Sequence, residues 1–278
     1  MILEKIVQEA SKILKNEKII SHNLDAELIL SHIMKITRET LITSNKTHLT
    51  EEAIKKYDEA IQRRIKKEPV AYITGKKEFW SEDFIVNKAT LVPRPETELL
   101  VYKAVRFFKG KKISILDIGT GSGCILLSIL KELNLSKGIG IDISSKAIET
   151  AKKNSMNLNL FNRSKFKVFD LNKYSYGKYD LIVSNPPYIP SIDIKNLSKD
   201  IINHEPLAAL NGGVDGLDLI KKVIYKSNIL LKKRGLLILE IGHNQYRRVS
   251  SILRYHGYRE MSKEYDYKQN IRCIISTK

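Results

Sequence analysis

The sequence predicts an α/β fold, a largely parallel sheet with helices on both faces, preceded by a small amino-terminal helical domain. Three observations carry this. Residues 2–67 hold apolar residues at helical spacing and no strand-like run. From Lys112 onward, short apolar runs alternate with helical stretches, the pattern of parallel strands joined by crossover helices. A glycine-rich turn directly follows the first of those runs, at the strand-to-helix corner where open α/β sheets place their ligands.

Composition narrows the class. With 278 residues the chain can form one large domain or two smaller ones with ample core. No apolar run approaches the roughly 18 residues of a membrane helix. The opening residues, with an acid at Glu4, lack a signal-peptide pattern, so a cytoplasmic protein with no membrane association is expected. Cys124 and Cys273 lie far apart without metal-ligand spacing, and the six histidines show no H-E-x-x-H pattern, so no metal site is expected. The formal charge of +17 has its excess beyond residue 80. Such a surface can attract an anionic partner such as RNA. A chain rich in Lys, Ile and Asn also reaches that charge through amino-acid usage, and no obligatory nucleic-acid partner is expected.

The elements follow in order. Ile2, Ile6, Val7, Ala10, Ile13 and Leu14 share one face of a first helix, and Ala26, Leu28, Ile29, Leu30 and Ile33 lie within a second over Asp25–Met34. Thr50, followed by Glu51 and Glu52, offers an N-cap with early acids for a third helix running to Lys67. This bundle carries no cluster of catalytic residue types and reads as a docking module. Pro69 breaks the helical pattern. Ala71–Gly75 reads as a linker into a short hairpin over Glu78–Trp80 and Phe84–Val86, with Trp80 as an aromatic anchor onto the next domain.

Pro93-Arg94-Pro95 is a stiff segment leading into a helix from about Glu96 to Phe108, with Pro95 near its first turn and acids suited to the helix dipole. A helix entry gives no special reason for Arg94. Strands are expected at Ile113–Ile118, Ile139–Ile143, Phe166–Phe169, Leu181–Ser184 and Leu236–Ile241. An antiparallel hairpin, Arg259–Tyr265 with Arg272–Ser276, closes the sheet.

Asp117-Ile118-Gly119-Thr120-Gly121-Ser122-Gly123 leaves the first strand and opens a helix. Glycines there let the backbone turn sharply and approach a ligand. Cys124 stands where a dinucleotide fingerprint has its third glycine, which weakens a pyrophosphate reading. Asp142 ends the second strand, where a carboxylate can accept both ribose hydroxyls of an adenosine. Asp170 ends the third, placed to accept from an adenine amino group with Leu171 beside it. Each acid alone can be a helix N-cap. Together the three strand ends point to S-adenosylmethionine.

The fourth strand stops at Asn185-Pro186-Pro187-Tyr188, because two prolines lack backbone N–H groups and fix φ near about −65°. Taken alone this is also an ordinary proline turn. At the edge of a cofactor sheet it can act on a planar amide or aromatic amine, whose delocalised lone pair attacks a sulfonium methyl poorly. The Asn185 side-chain oxygen and the Pro186 carbonyl can accept its two N–H bonds, aiming the lone pair and stabilising positive charge as it develops. Tyr188 can stack on the planar acceptor. The chain contains no G-x-S-x-G elbow, reactive Cys–His pair or Walker A run.

These residues, together with Glu68-Pro69-Val70-Ala71-Tyr72-Ile73-Thr74-Gly75, Phe79-Trp80, Pro93–Glu98, Glu205–Leu210 and Gly213-Val214-Asp215-Gly216, give a chain that resembles the bacterial peptide chain release factor glutamine N5-methyltransferases, the HemK/PrmC family, over nearly its whole length. The resemblance implies a class I, Rossmann-like methyltransferase sheet. It implies methyl transfer to the glutamine of the Gly-Gly-Gln motif in release factors, modulating translation termination.

On this reading residues 1–68 form the docking bundle, 69–92 a linker and hairpin, and 93–278 the methyltransferase domain. Gly119, Thr120, Gly121, Ser122, Gly123, Asp142, Asp170, Leu171 and Asn185 are the cofactor site. Asn185, Pro186 and Tyr188 are the catalytic candidates, with Pro187 and Arg94 completing the substrate site. Leu171 stands where the family is often aromatic, so apolar contact replaces stacking there. A monomer with a release factor as partner is expected. The alternatives are a sibling enzyme acting on a ribosomal-protein glutamine, an adenine-N6 methyltransferase acting on nucleic acid, and a non-catalytic cofactor scaffold.

Overall fold

The computed structural model describes residues 3–43 and 49–278; Ile2 and the part of the helical expectation over 44–48 lie outside them. The chain opens with α1 (Leu3–Asn16), α2 (His22–Met34), α3 (Arg38–Thr43), α4 (Glu51–Ile65) and α5 (Val70–Thr74). A hairpin of β1 (Lys76–Phe79) and β2 (Glu82–Ile85) follows, then α6 (Glu98–Phe108), β3 (Ser114–Ile118), α7 (Cys124–Glu132), β4 (Lys137–Asp142), α8 (Ser145–Asn157), β5 (Ser164–Val168) and β6 (Tyr179–Ser184). The chain closes with α9 (Lys199–His204), α10 (Asp218–Leu230), β7 (Leu231–Glu240), α11 (Tyr246–Tyr255), β8 (Arg259–Tyr265) and β9 (Ile271–Thr277). Two compact units result: Met1–Lys76 with Ser198–His204, and Lys77–Leu197 with Glu205–Lys278.

The helical unit is built as its periodicity predicts. Leu3, Ile6, Ala10 and Leu14 of α1 are buried, while Ile13 falls at the edge of that face and is exposed. Ala26, Ile29 and Leu30 of α2 meet Tyr57 and Ile61 of α4 in one core. The Thr50 hydroxyl accepts from the Ala53 N–H at 3.2 Å, capping α4 as expected. The Tyr57 hydroxyl donates to the Ala26 carbonyl at 3.1 Å and ties α4 to α2.

One expectation is corrected. Ala71–Gly75, read as linker, falls on a short helix, Val70–Thr74, with Pro69 at its N-cap and Gly75 in the left-handed region at its end. It buries Ala71 and Tyr72, so the helical unit runs on to Lys76 and the expected 69–92 segment divides between the two units. Proline ends a helix from inside but opens one at its first turn, and Gly75 is a C-terminal signal.

In the second unit seven strands order as β5-β4-β3-β6-β7-β9-β8. All pairs from β5 to β7 are parallel, and β9 is antiparallel to both of its neighbours. Side chains alternate across the sheet: Ile115, Leu181, Val183 and Ile238 enter one core with α6 and α7, and Leu116, Ile182, Leu237 and Leu239 enter the other with α10 and α11. Trp80 packs against the first of these cores. Its indole N–H donates to Glu132 at 2.8 Å and its backbone N–H to Glu98 at 2.8 Å. The chain runs outward from β3 through β5 and returns to β3's other side at β6, so the switch point lies between β3 and β6.

Within the helical unit Arg64 is buried, its Nε 2.7 Å from Asp25 and its Nη1 2.8 Å from Asp200 on α9. Removing one member of a buried ion pair leaves an uncompensated charge. Arg64→Ala is expected to destabilise this unit by roughly 3–5 kcal/mol, measured as a lower urea midpoint by far-ultraviolet circular dichroism. An unchanged midpoint would show that the ion pair contributes nothing net.

Candidate active site

Ile118 of β3 and Ser184 of β6 are register partners, and the Ser184 hydroxyl donates to the Ile118 carbonyl at 2.8 Å. The glycine loop therefore starts at Gly119 beside the corner that starts at Asn185. A cavity of about 1340 Å³ opens at this end of the sheet, lined by Gly119, Thr120, Gly121, Ser122, Asp142, Asp170, Leu171, Asn185, Pro187 and Arg94 among others.

Gly119 and Gly121 have φ of +73° and +55°, and a Cβ on either would point into open space. Glycine is required there by the backbone, and the space beside it is open cavity. Thr120 turns inward and donates to Asp117 at 2.6 Å, so only its backbone is available to a ligand. Ser122 is also buried, and its carbonyl accepts from Asn154 at 2.9 Å. Gly123 is not among the residues lining the cavity. A Cβ there would come within 3.1–3.2 Å of Phe166, Ala151 and Leu127, so this glycine lets α7 approach its neighbours.

Asp142 ends β4 as predicted, and both of its oxygens are engaged with the protein. Its Oδ2 accepts from the Gly121 N–H at 3.0 Å and its Oδ1 from Ser144 at 2.9 Å, fixing the glycine loop to the next strand end. Ser144, not Asp142, caps α8. Asp170 is two residues beyond β5, not at its end, because the strand stops at Val168. Its Oδ1 caps a 3-10 turn by accepting from Asn172 at 2.8 Å. Leu171 lines the cavity but is largely buried, whereas Ile143, which the sequence reading left unassigned, is 73% exposed and lines it too.

At the corner, Asn185 lines the cavity and its Nδ2 donates to the Thr97 hydroxyl at 3.1 Å. Thr97 donates in turn to Glu240 Oε2 at 2.7 Å. Pro186 is buried, and the cavity wall includes Pro187 but neither Pro186 nor Tyr188. The Tyr188 ring packs against the core under α10 and α11, and its hydroxyl donates to Glu240 Oε1 at 3.3 Å. The ring is thus engaged with the protein, and the stacking expected of it has no counterpart in this arrangement. Burial, with Glu240 alongside, pushes the Tyr188 hydroxyl up.

Arg94 pairs with the buried Glu205 carboxylate at 2.5 Å, and the same carboxylate accepts from the Val92 N–H at 3.3 Å. The Pro93–Glu98 and Glu205–Leu210 segments are thereby clamped together at the cavity. Gln245 holds the corner's far side: its Nε2 donates to the Tyr188 carbonyl at 2.9 Å and the Gly216 carbonyl at 3.1 Å, and its Oε1 accepts from the Gly242 N–H at 2.9 Å. Asn154 clasps Ile85 of the hairpin, accepting from its N–H at 2.8 Å and donating to its carbonyl at 3.0 Å, while also holding Ser122. Sequence reasoning missed Glu240, Gln245 and Asn154. The one available signal was an acid closing the apolar run Leu236–Leu239.

Residues 5–75 match the family model described as PrmC N-terminal domain, and residues 109–240 match a methyltransferase domain. A protein of Caulobacter vibrioides named release factor glutamine methyltransferase is 36% identical over 280 residues, covering 100% of this chain and 97% of the relative. One of the same name from Bradyrhizobium diazoefficiens is 40% identical over 244 residues, covering 86% of this chain and 82% of the relative. Among solved structures, the hMettl16 catalytic domain in complex with a MAT2A 3′UTR hairpin is similar with a TM-score of 0.54 at 16% identity, over 84% of each chain. A methyltransferase from Pyrococcus furiosus gives 0.53 at 17% identity, over 70% of this chain and 88% of that one. At such identity these two show the fold alone, a class I methyltransferase sheet.

Asp117 is fully buried beneath the glycine loop, and burial pushes its carboxyl up to about 7, against the pull of the Thr120 hydroxyl. A carboxyl whose folded value is raised stabilises the fold fully below its unfolded value, and that stability is lost as pH rises through the folded one. Between pH 5.5 and pH 8 the wild type should therefore lose about 2 kcal/mol through this group. Asp117→Asn should flatten that part of the pH dependence, read from urea unfolding at the two pH values. Identical slopes for the two proteins would show the assignment to be wrong.

Proposed function

The chain belongs to the release factor glutamine methyltransferase family, and from that premise we propose that it transfers a methyl group from S-adenosylmethionine to the side-chain amide nitrogen N5 of the glutamine in the Gly-Gly-Gln motif of peptide chain release factors. The observation that carries the reading is Asn185, on the cavity wall beside the glycine loop, with its amide nitrogen committed to Thr97.

The cavity residues fit the cofactor. Positive-φ glycines leave room for backbone contact, Asp142 and Asp170 supply carboxylates for hydroxyl and amino donors, and the exposed Ile143 with Leu171 supplies apolar surface for a purine. S-adenosylmethionine, when bound, supplies an electrophilic methyl on a sulfonium. The protein's task is to hold a poor nucleophile against it. Asn185 Oδ1 accepts one N–H of the glutamine amide and the Pro186 carbonyl accepts the other, so charge developing on that nitrogen meets fixed acceptors. No group need remove a proton beforehand, because the methylated nitrogen becomes acidic and releases one to these acceptors or to water.

The rest of the proposal follows the same reading. The helical unit docks the release factor, Arg94 lies at the substrate entrance, and the enzyme works as a cytoplasmic monomer.

Purified protein with S-adenosylmethionine is expected to add a single methyl mass to the Gly-Gly-Gln peptide of an intact release factor. Methylation of RNA or of a ribosomal protein, with none on the release factor, would overturn the proposal. Asn185→Ala should lower kcat by about 10²–10³-fold while cofactor affinity, measured by calorimetry, stays within the wild-type range. If the helical unit docks the substrate, kcat/KM on whole release factor will exceed that on the free peptide, and equal values would remove the docking role.

A further inference from the structure

We infer that Glu240 and Thr97 are positioning residues that set which atom of the Asn185 amide faces the acceptor. This rests on the function proposed above and goes beyond it. Thr97 has one hydroxyl proton. Beside a carboxylate 2.7 Å away that proton goes to Glu240, which leaves only a lone pair to face Asn185. The Asn185 amide must then present its NH₂ to Thr97, at 3.1 Å, and turn Oδ1 the other way, as an acceptor. Tyr188 donates to the second Glu240 oxygen, so Glu240 accepts on both sides and cannot exchange roles while it is charged.

Three of the four residues are anchored in different parts of the sheet unit. Thr97 lies in the 3-10 turn Pro95–Thr97, Glu240 ends β7, and Tyr188 belongs to the corner itself. Thr97 and Glu240 are buried at 3% and 1% exposure, so water does not replace these bonds. The polarity of the chain is therefore set at its inner end. A neutral group at 240 could donate to Thr97, whose proton would then seek an acceptor on Asn185. The amide would rotate and point NH₂ at the substrate's own N–H bonds.

The charged and titratable groups around Glu240 are Tyr188 from the corner, Glu96 from the 3-10 turn, and Arg272 and Cys273 from β9. Burial dominates and pushes Glu240 up to about 7, opposed by the Thr97 and Tyr188 hydroxyls and by Arg272. The ordering of Asn185 is then complete above neutrality and is lost as pH falls through that value.

The experiment compares wild type, Thr97→Val, Thr97→Ser and Glu240→Gln on a Gly-Gly-Gln peptide, with cofactor affinity by calorimetry and the Asn185 side-chain amide followed by NMR from pH 6 to 9. Thr97→Val and Glu240→Gln should each lower kcat by about 10²-fold with cofactor affinity retained, and Thr97→Ser should recover most of the turnover. Wild-type kcat should rise through about pH 7 as Glu240 ionises, and this limb should vanish in Glu240→Gln. The Asn185 amide resonances should titrate with the same midpoint in wild type and not in Glu240→Gln. Full turnover in Thr97→Val, or an Asn185 amide insensitive to pH in wild type, overturns the inference. A wild type inactive on both peptide and release factor overturns the proposed function instead, and the NMR titration still decides the inference.

Discussion

Parallel pairing of β3 with β6 is the constraint on which the site depends. It fixes Ile118 against Ser184, and each strand's next residue begins a loop that cannot continue the sheet: Gly119 turns into positive φ, and Asn185 runs into two prolines. A glycine loop and an amide are thus delivered side by side by backbone register. Nothing about the pairing specifies the orientation of the side chains, and the polar network behind the corner supplies that.

The network is expensive in principle. Asp117 and Glu240 are carboxyl groups at 0% and 1% exposure, and each charge taken from water costs several kcal/mol unless satisfied. Hydroxyls make the side-chain hydrogen bonds to both: Thr120 to Asp117, and Thr97 and Tyr188 to Glu240. Burial raises both groups to about 7, and the neutral hydroxyl donors offset only part of that shift. Such acids stabilise the fold less at alkaline pH, and their presence beside the cavity is more readily understood as a cost of ordering the site.

Much of this was legible in the chain. Apolar runs marked the strands, the proline pair marked a strand end, and Thr50 marked a helix start, because each signal is local and acts through backbone geometry. Glu240 escaped as a site residue because its partner Thr97 lies 143 positions away, and the acid that closes the apolar run after Leu239 does not by itself name that partner. Gln245 and Asn154 escaped for the same reason. Tyr188 was read as free to stack because its sequence neighbours give no hint of the core that receives its ring. At Pro69 the local signal was present but misread, since the proline that closes one helix also opens the next.

Trp80 has a further consequence. It is the chain's sole indole, and it sits at the hairpin turn, half-buried against the core of the sheet unit and hydrogen-bonded to Glu132. Intrinsic tryptophan emission is therefore a signal from that unit. The helical unit, whose core holds Tyr57, is silent at tryptophan wavelengths. A fluorescence melt of this chain reads one unit while circular dichroism reads both, so the difference between the two curves isolates the helical unit without cutting the polypeptide.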